Sequence, residues 1–191
     1  MQSIEFCAGA GGQALGLEQA GFRHAALVEI EPDYAQTLRL NRPQWQVHTA
    51  DMTQFDGRPY KGVDLFAGGL PCPPFSVAGK QLGDNDERNL FPAALRLIDK
   101  ILPKAIMIEN VRGFLSTVFE DYRLHLKQQL HKLGYHVDWR LLNSSDFGVP
   151  QLRPRVVIVA MRKDFVDAFD WPVVMPHNRR RTGRAPLSNS G

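Results

Sequence analysis

With 191 residues, 43% of them hydrophobic and 23% charged, the chain has room for one ordinary domain with a sizeable core and a short appendage, and no apolar run reaches the roughly 20 residues of a membrane span. Two cysteines, Cys7 and Cys72, are too few for a disulfide framework or a four-cysteine zinc site, and with no secretory signal they point to a cytoplasmic protein with reduced thiols. Of the net charge of +3, four positive charges belong to Arg179, Arg180, Arg181 and Arg184 in the acid-free stretch from His177 to Gly191; this leaves the body at −1, so net charge alone argues for no polyanion partner.

Apolar, strand-like runs alternate with helical patterns along the chain. Ile4 to Ala8 reads as a strand ending in glycines, and Gln13 to Ala20 carries Leu15, Leu17 and Ala20 at roughly helical spacing. Ala25 to Ile30 is the second strand, and Pro32 suits the first turn of a helix reaching Leu40. Val47 to Ala50 and Val63 to Ala67 are the third and fourth strands. Asn89 to Leu102 is a helix with Leu90, Ala94, Leu97, Ile98 and Ile101 along one face. Ala105 to Ile108 is a continuous apolar run of the kind buried on both faces of a parallel sheet. Glu120 to Leu133 is a further amphipathic helix stopped by Gly134, and Tyr135 to Leu142 and Val156 to Met161 are closing strands. This alternation predicts an α/β fold with a doubly wound, mostly parallel sheet. Two long glycine- and proline-rich stretches, Gly68 to Asn89 and Asn143 to Arg155, interrupt it, and loops of that length inside a domain are usually functional or disordered. The expected boundary is a domain over 1–175 followed by a basic, disordered tail over 176–191.

The first strand runs into Cys7-Ala8-Gly9-Ala10-Gly11-Gly12 and then a helix. Glycines there allow a tight turn and close approach of a ligand to a helix N-terminus. Glu29 ends the second strand 18 residues after Gly11, where a carboxylate can accept hydrogen bonds from ribose hydroxyls, and Asp51 ends the third, where it could take an adenine amino group. Together they outline a nucleoside pocket. A plain tight turn is the alternative for the glycines, and the pocket does not by itself choose between NAD and S-adenosylmethionine.

Three further cues carry chemistry. In Gly68-Gly69-Leu70-Pro71-Cys72-Pro73-Pro74-Phe75-Ser76, a lone cysteine between prolines follows the fourth strand. Prolines restrict the backbone, so the thiol is pre-positioned as a nucleophile would be; the plainer reading is an inert structural cysteine. Glu109-Asn110-Val111 ends the fifth strand, and a carboxylate closing an apolar strand is costly unless paired or used. In Gln151-Leu152-Arg153-Pro154-Arg155, two arginines at i and i+2 can point the same way and aim fixed charge at one group, unless they simply decorate a solvated edge.

From the glycine loop through Glu29, Asp51, Pro71-Cys72, Glu109-Asn110-Val111 and Gln151-x-Arg153-x-Arg155, over roughly the first 175 residues, the chain resembles the cytosine-C5 DNA methyltransferase family. The resemblance implies a Rossmann-like, S-adenosylmethionine-dependent methyltransferase fold acting on DNA, within a restriction–modification system. It implies that Cys72 adds to C6 of a flipped-out cytosine, that Glu109 binds the N3/N4 edge, that Arg155 contacts O2, and that Arg153 supports the neighbouring loop or a phosphate. Cys7, Gly9, Gly11, Gly12, Glu29, Ile30, Asp51, Met52, Pro71 and Leu90 would then line the cofactor pocket. Ser76, Lys80, Gln81 and Arg88, with Asn110 and Gln151, would face substrate or DNA.

The chain departs from the family pattern in three places. Cys7 stands where phenylalanine usually lies against the adenine, and Phe6, one position earlier on a strand, is expected to point away. Pro73 replaces a frequent glutamine after the cysteine. Family members continue into a target-recognition domain and a final segment that completes the cofactor pocket, neither of which is read here. The chain is therefore expected to show little or no sequence-specific activity alone, as a fragment, a truncated product, or a subunit whose second chain supplies recognition. Competing readings are a non-catalytic cofactor- or nucleic-acid-binding relic, a tRNA cytosine-C5 methyltransferase, and a dinucleotide oxidoreductase, which leaves Cys72, Glu109 and the paired arginines unexplained.

Overall fold

A computed structural model describes residues 1–71 and 89–173. Among them seven strands, β1 (Gln2–Phe6), β2 (Arg23–Glu29), β3 (Val47–Thr49), β4 (Leu65–Gly68), β5 (Ala105–Val111), β6 (Tyr135–Asn143) and β7 (Pro154–Arg162), form one sheet in the order β3-β2-β1-β4-β5-β7-β6. Helices α1 (Gly12–Gln19), α2 (Pro32–Asn41), α3 (Phe91–Ile101) and α4 (Glu120–Lys132) connect them. None of the described helices is long and apolar enough to cross a membrane. The fold is the expected doubly wound α/β sheet. Strands β1 to β5 are parallel, and the strand order reverses between β1 and β4, the point at which ligands bind in open sheets.

The alternation of side chains along β1 divides the molecule into two layers. Ile4 and Phe6 face one side, where α3 lays Leu97, Ile98 and Ile101 against them together with Phe66, Ile106 and Ile108. Burial of each such large apolar side chain stabilises by about 1.5–3 kcal/mol. Ser3 and Glu5 lie on the opposite face of the strand. There Leu17 of α1 packs on Leu65 and Ala67, and Leu38 of α2 packs on Ala14 and Leu27. Phe6 stacks on Phe66 with ring centroids 5.0 Å apart and meets Phe55 edge-on, so it points into the core as its one-residue offset predicts.

The structure adds one strand direction that the sequence leaves open and lengthens one strand. Strand β7 runs antiparallel to both β5 and β6; the link from Asn143 to Pro154, part of it a 3-10 turn over Ser144–Phe147, is too short for the crossover that a parallel pairing with β6 needs. The long loop expected over Asn143 to Arg155 is therefore mostly the tip of a hairpin. Strand β5 continues three residues past Ile108 because Glu109, Asn110 and Val111 pair with Val157, Val156 and Arg155. Gly134, at φ +91°, ends α4 as expected. The tail over 176–191, with its expected disorder, lies outside the described residues.

Candidate active site

The loop after β1 is built on unusual backbone. Cys7 holds φ +55° and Gly11 φ +92°, and a Cβ on Gly11 would stand 2.6 Å from Leu38 Cδ2, so only glycine fits there. Glu29, buried at the end of β2, accepts hydrogen bonds from the backbone N–H of Gly9 at 2.7 Å and of Glu31 at 2.9 Å. It thus clamps the glycine loop to β2 while each oxygen keeps a second lone-pair direction for a ligand. Asp51 is similarly fixed, accepting from the Thr53 N–H at 2.8 Å and the Thr53 hydroxyl at 2.7 Å. Beside it opens a cavity of about 230 Å³ lined by Cys7, Ile30, Asp51, Met52 and Leu90. The Cys7 thiol lies 3.6 Å from Met52 Sδ. Burial, reinforced by the carboxylates of Glu29 and Asp51, pushes it up to about 12, so it stays a neutral, unreactive thiol.

Cys7 also borders a larger cavity of about 440 Å³. Strand register explains its floor. Glu5, Ala67 and Met107 form one cross-strand row, and Cys7, Gly69 and Glu109 follow one step further along the same face. Glu109 sits opposite Val157, and Arg155 is two residues along β7 on that same face, the diagonal position from which a long side chain reaches across. Arg155 Nε lies 2.7 Å from Glu109 Oε1, and an Arg153 terminal nitrogen lies 3.8 Å from the same oxygen. The two arginines converge on one group, as their spacing predicts. That group is Glu109, and Arg155 donates also to the Pro154 carbonyl.

Gly69, three residues before Cys72, stands between Gln13 and Glu109: a Cβ placed on it would be 3.8 Å from Gln13 Oε1 and 4.0 Å from Glu109 Oε2. Glu109 therefore lies against the segment leading into the Pro71-Cys72 pair. Cys72 itself, with Ser76, Lys80, Gln81 and Arg88, lies outside the described residues. Gly12 lines the larger cavity, whereas Pro71 is exposed and lines neither. Asn110 points to the face opposite Glu109, is 1% exposed, and accepts a hydrogen bond from the Val111 N–H, so it is not brought into the cavity. Gln151 is exposed on the β6–β7 hairpin and lines neither cavity.

Two residues at the site escaped the sequence reading. Glu5 is 1% exposed, its Oε2 has no hydrogen-bond partner, and burial pushes its carboxyl up to about 8. Gln13, at the start of α1, has a buried Nε2 with no partner. Both line the larger cavity. The signal for Glu5 was the one used for Glu109, an acid inside an apolar strand beside the glycine loop. Gln13 carried no signal, because its place depends on how α1 sits over β4.

At the switch point of the α/β sheet, a cavity edged by Asp51 lies beside a second cavity that holds Glu109, an arginine-braced glutamate. The model of the C-5 cytosine-specific DNA methylase family matches residues 1–184, and the chain belongs to that family. It is 61% identical over 170 residues to the Type II methyltransferase M.NgoMIV of Neisseria gonorrhoeae, covering 89% of this chain and 54% of that protein. It is 49% identical to the Type II methyltransferase M.NaeI of Lentzea aerocolonigenes, over 97% of this chain and 44% of that protein. The chain thus spans about half the length of these curated relatives. Among solved structures, a substituted DNMT2 of Spodoptera frugiperda superposes with a TM-score of 0.70 at 28% identity, over 90% of this chain and 52% of that one.

Proposed function

We propose that these residues form the cofactor-binding and catalytic part of a DNA (cytosine-5-)-methyltransferase of restriction–modification type, acting in the cytoplasm on a cytosine flipped out of duplex DNA. The observation that carries the reading is the Glu109 carboxylate, braced by Arg155, in one cavity with the glycine loop and against Gly69. The residues fit S-adenosylmethionine. Ile30, Met52 and Leu90 offer apolar walls beside the hydrogen-bonding edge of Asp51, suited to adenine, and the spare lone pairs of Glu29 suit ribose hydroxyls. The cofactor supplies an electrophilic methyl group on a sulfonium.

Cytosine C5 is a weak nucleophile, and the chain's own groups raise its reactivity. The Cys72 thiolate adds to C6 and forms an S–C bond, which turns C5 into an enamine carbon able to take the methyl. Glu109 holds the N3/N4 edge and stabilises protonation at N3, with Arg155 positioning it and contacting O2. Loss of the C5 proton then breaks the S–C bond and returns Cys72. Because the relatives are about twice as long, target-sequence reading is assigned here to a region outside these residues, on the same polypeptide or on a second chain.

The test is trapping. Duplex DNA carrying several 5-fluorocytosines, incubated with the chain and S-adenosylmethionine, is expected to yield a covalent adduct that mass spectrometry locates on Cys72. Cys72→Ser abolishes the adduct and Glu109→Gln slows its formation by about 10²–10³-fold. An unmodified Cys72 in protein that binds the cofactor would overturn the catalytic reading. An adduct with 5-fluorocytosine tRNA and none with DNA would move the substrate to RNA.

A further inference from the structure

Asp51 sits in a short turn after β3 that is held from two directions. From within, Thr53 donates its backbone N–H and its hydroxyl to the two Asp51 carboxylate oxygens, at 2.8 and 2.7 Å. From outside, Arg96 on α3 reaches across from a distant part of the chain. One of its terminal nitrogens donates to the Met52 and Thr53 carbonyls at 3.1 and 2.8 Å, and the other to the Phe55 carbonyl at 3.5 Å. Carbonyl oxygens that converge on one point repel unless a group with several donors stands among them, and the planar guanidinium supplies those donors in a fixed fork. Leu97, Ile98 and Ile101 pack α3 onto the sheet, so Arg96 works from a rigid support. Leu90, the N-cap of the same helix, lines the cavity of about 230 Å³ together with Asp51, Met52 and Thr53. One packed helix thus lends the cavity a lining residue and holds the turn that lends it three more.

We propose that Thr53 and Arg96 are positioning residues for base selection: Thr53 locks the Asp51 carboxylate in one orientation, Arg96 locks the turn that carries both, and the fixed acceptor makes the cavity prefer adenine to hypoxanthine. This rests on the S-adenosylmethionine reading above, in which Asp51 takes the adenine amino group and neither Thr53 nor Arg96 has a part. Each Asp51 oxygen spends one lone-pair direction on Thr53 and keeps a second for the base. Adenine presents an amino group there. Hypoxanthine presents a carbonyl oxygen in its place, with a ring N–H one position further round. A carboxylate free to turn would follow that N–H and bind both bases alike. A carboxylate held at both oxygens cannot follow without breaking a bond to Thr53, and it meets the carbonyl oxygen as acceptor against acceptor. Discrimination then comes from the rigidity of the turn and not from the charge of Asp51 alone.

Calorimetric titration of the chain with S-adenosylhomocysteine and with S-inosylhomocysteine, in which an oxo group replaces the adenine amino group, tests this. The unsubstituted chain is expected to prefer the adenosyl ligand by about 10–100-fold. Thr53→Val, which keeps the shape and the N–H but removes the hydroxyl, lowers that ratio by about fivefold or more, and Thr53→Ser restores it. Arg96→Met, which keeps an aliphatic stem, lowers the ratio likewise, and Arg96→Lys recovers part of it. Far-UV circular dichroism reports whether each variant is folded, and Thr53→Val decides the matter if Arg96→Met is not. A turn with a structural role only would weaken both ligands equally and leave their ratio intact; that result in a folded variant overturns the proposal. An unsubstituted chain that binds the two ligands equally well overturns it too, while the cofactor reading stands. If neither ligand binds the unsubstituted chain, the cofactor reading fails and base selection with it.

Discussion

Glu5 occupies a position where a charged residue is expensive, on an inner strand beneath α1 with almost no exposure. Its folded-state carboxyl is raised from 4.5 to about 8 by burial, so the folded chain holds a proton that the unfolded chain gives up at lower pH. The stability this confers is complete below about pH 4.5 and is lost as pH rises through about 8. Thermal melts across pH 5 to 8.5 should therefore show the unsubstituted chain losing on the order of 2–4 kcal/mol relative to Glu5→Gln, whose amide has no proton to lose. A difference that does not change with pH would remove Glu5 as the buried acid. Cys7 shows the same environment acting on a thiol: burial between two carboxylates keeps it protonated, so alkylation at neutral pH should leave Cys7 unmodified without prior unfolding.

At the scale of elements, the glycine loop and the β5–β7 pairing do different work. The loop is held by one carboxylate, Glu29, which accepts from Gly9, and by the close approach of Gly11 to Leu38. Gly11→Ala sets a Cβ against Leu38 and places alanine at a left-handed φ, so a loss of about 2–4 kcal/mol in urea unfolding is expected. A midpoint unchanged within error would mean that the loop relaxes freely and is no rigid cradle. The β5–β7 register sets Glu109 within 2.7 Å of Arg155 but 3.8 Å of Arg153. Arg155→Ala should accordingly slow covalent trapping by about tenfold or more, and Arg153→Ala by less. Equal effects of the two would show that proximity to Glu109 does not govern their roles.

For the whole molecule, charge is divided. The body is near neutral, while four arginines gather after His177. Non-specific duplex binding should then lean on the tail. Replacing Arg179, Arg180, Arg181 and Arg184 by glutamine is expected to flatten the dependence of log affinity on log salt by about 3.6 units and leave calorimetric cofactor binding unchanged. An unaltered slope would place the phosphate contacts on the body instead. The sheet's reversal of strand order at β1 and β4 brings the glycine loop and Gly69 side by side, although nearly 60 residues separate them in the chain.

The α/β class, nearly every element, and the acids at strand ends were legible in the sequence, because burial imposes a period on apolar residues and an acid at the end of an apolar run stands out locally. The antiparallel β7 was not, because strand direction depends on the length of a link whose ends the pattern leaves blurred. The pairing of Glu109 with Arg155 and the orphaned Glu5 and Gln13 were decided by tertiary structure alone. Register sets which side chains are diagonal neighbours, and helix placement sets which buried polar atoms lack a partner; both arise between segments distant along the chain.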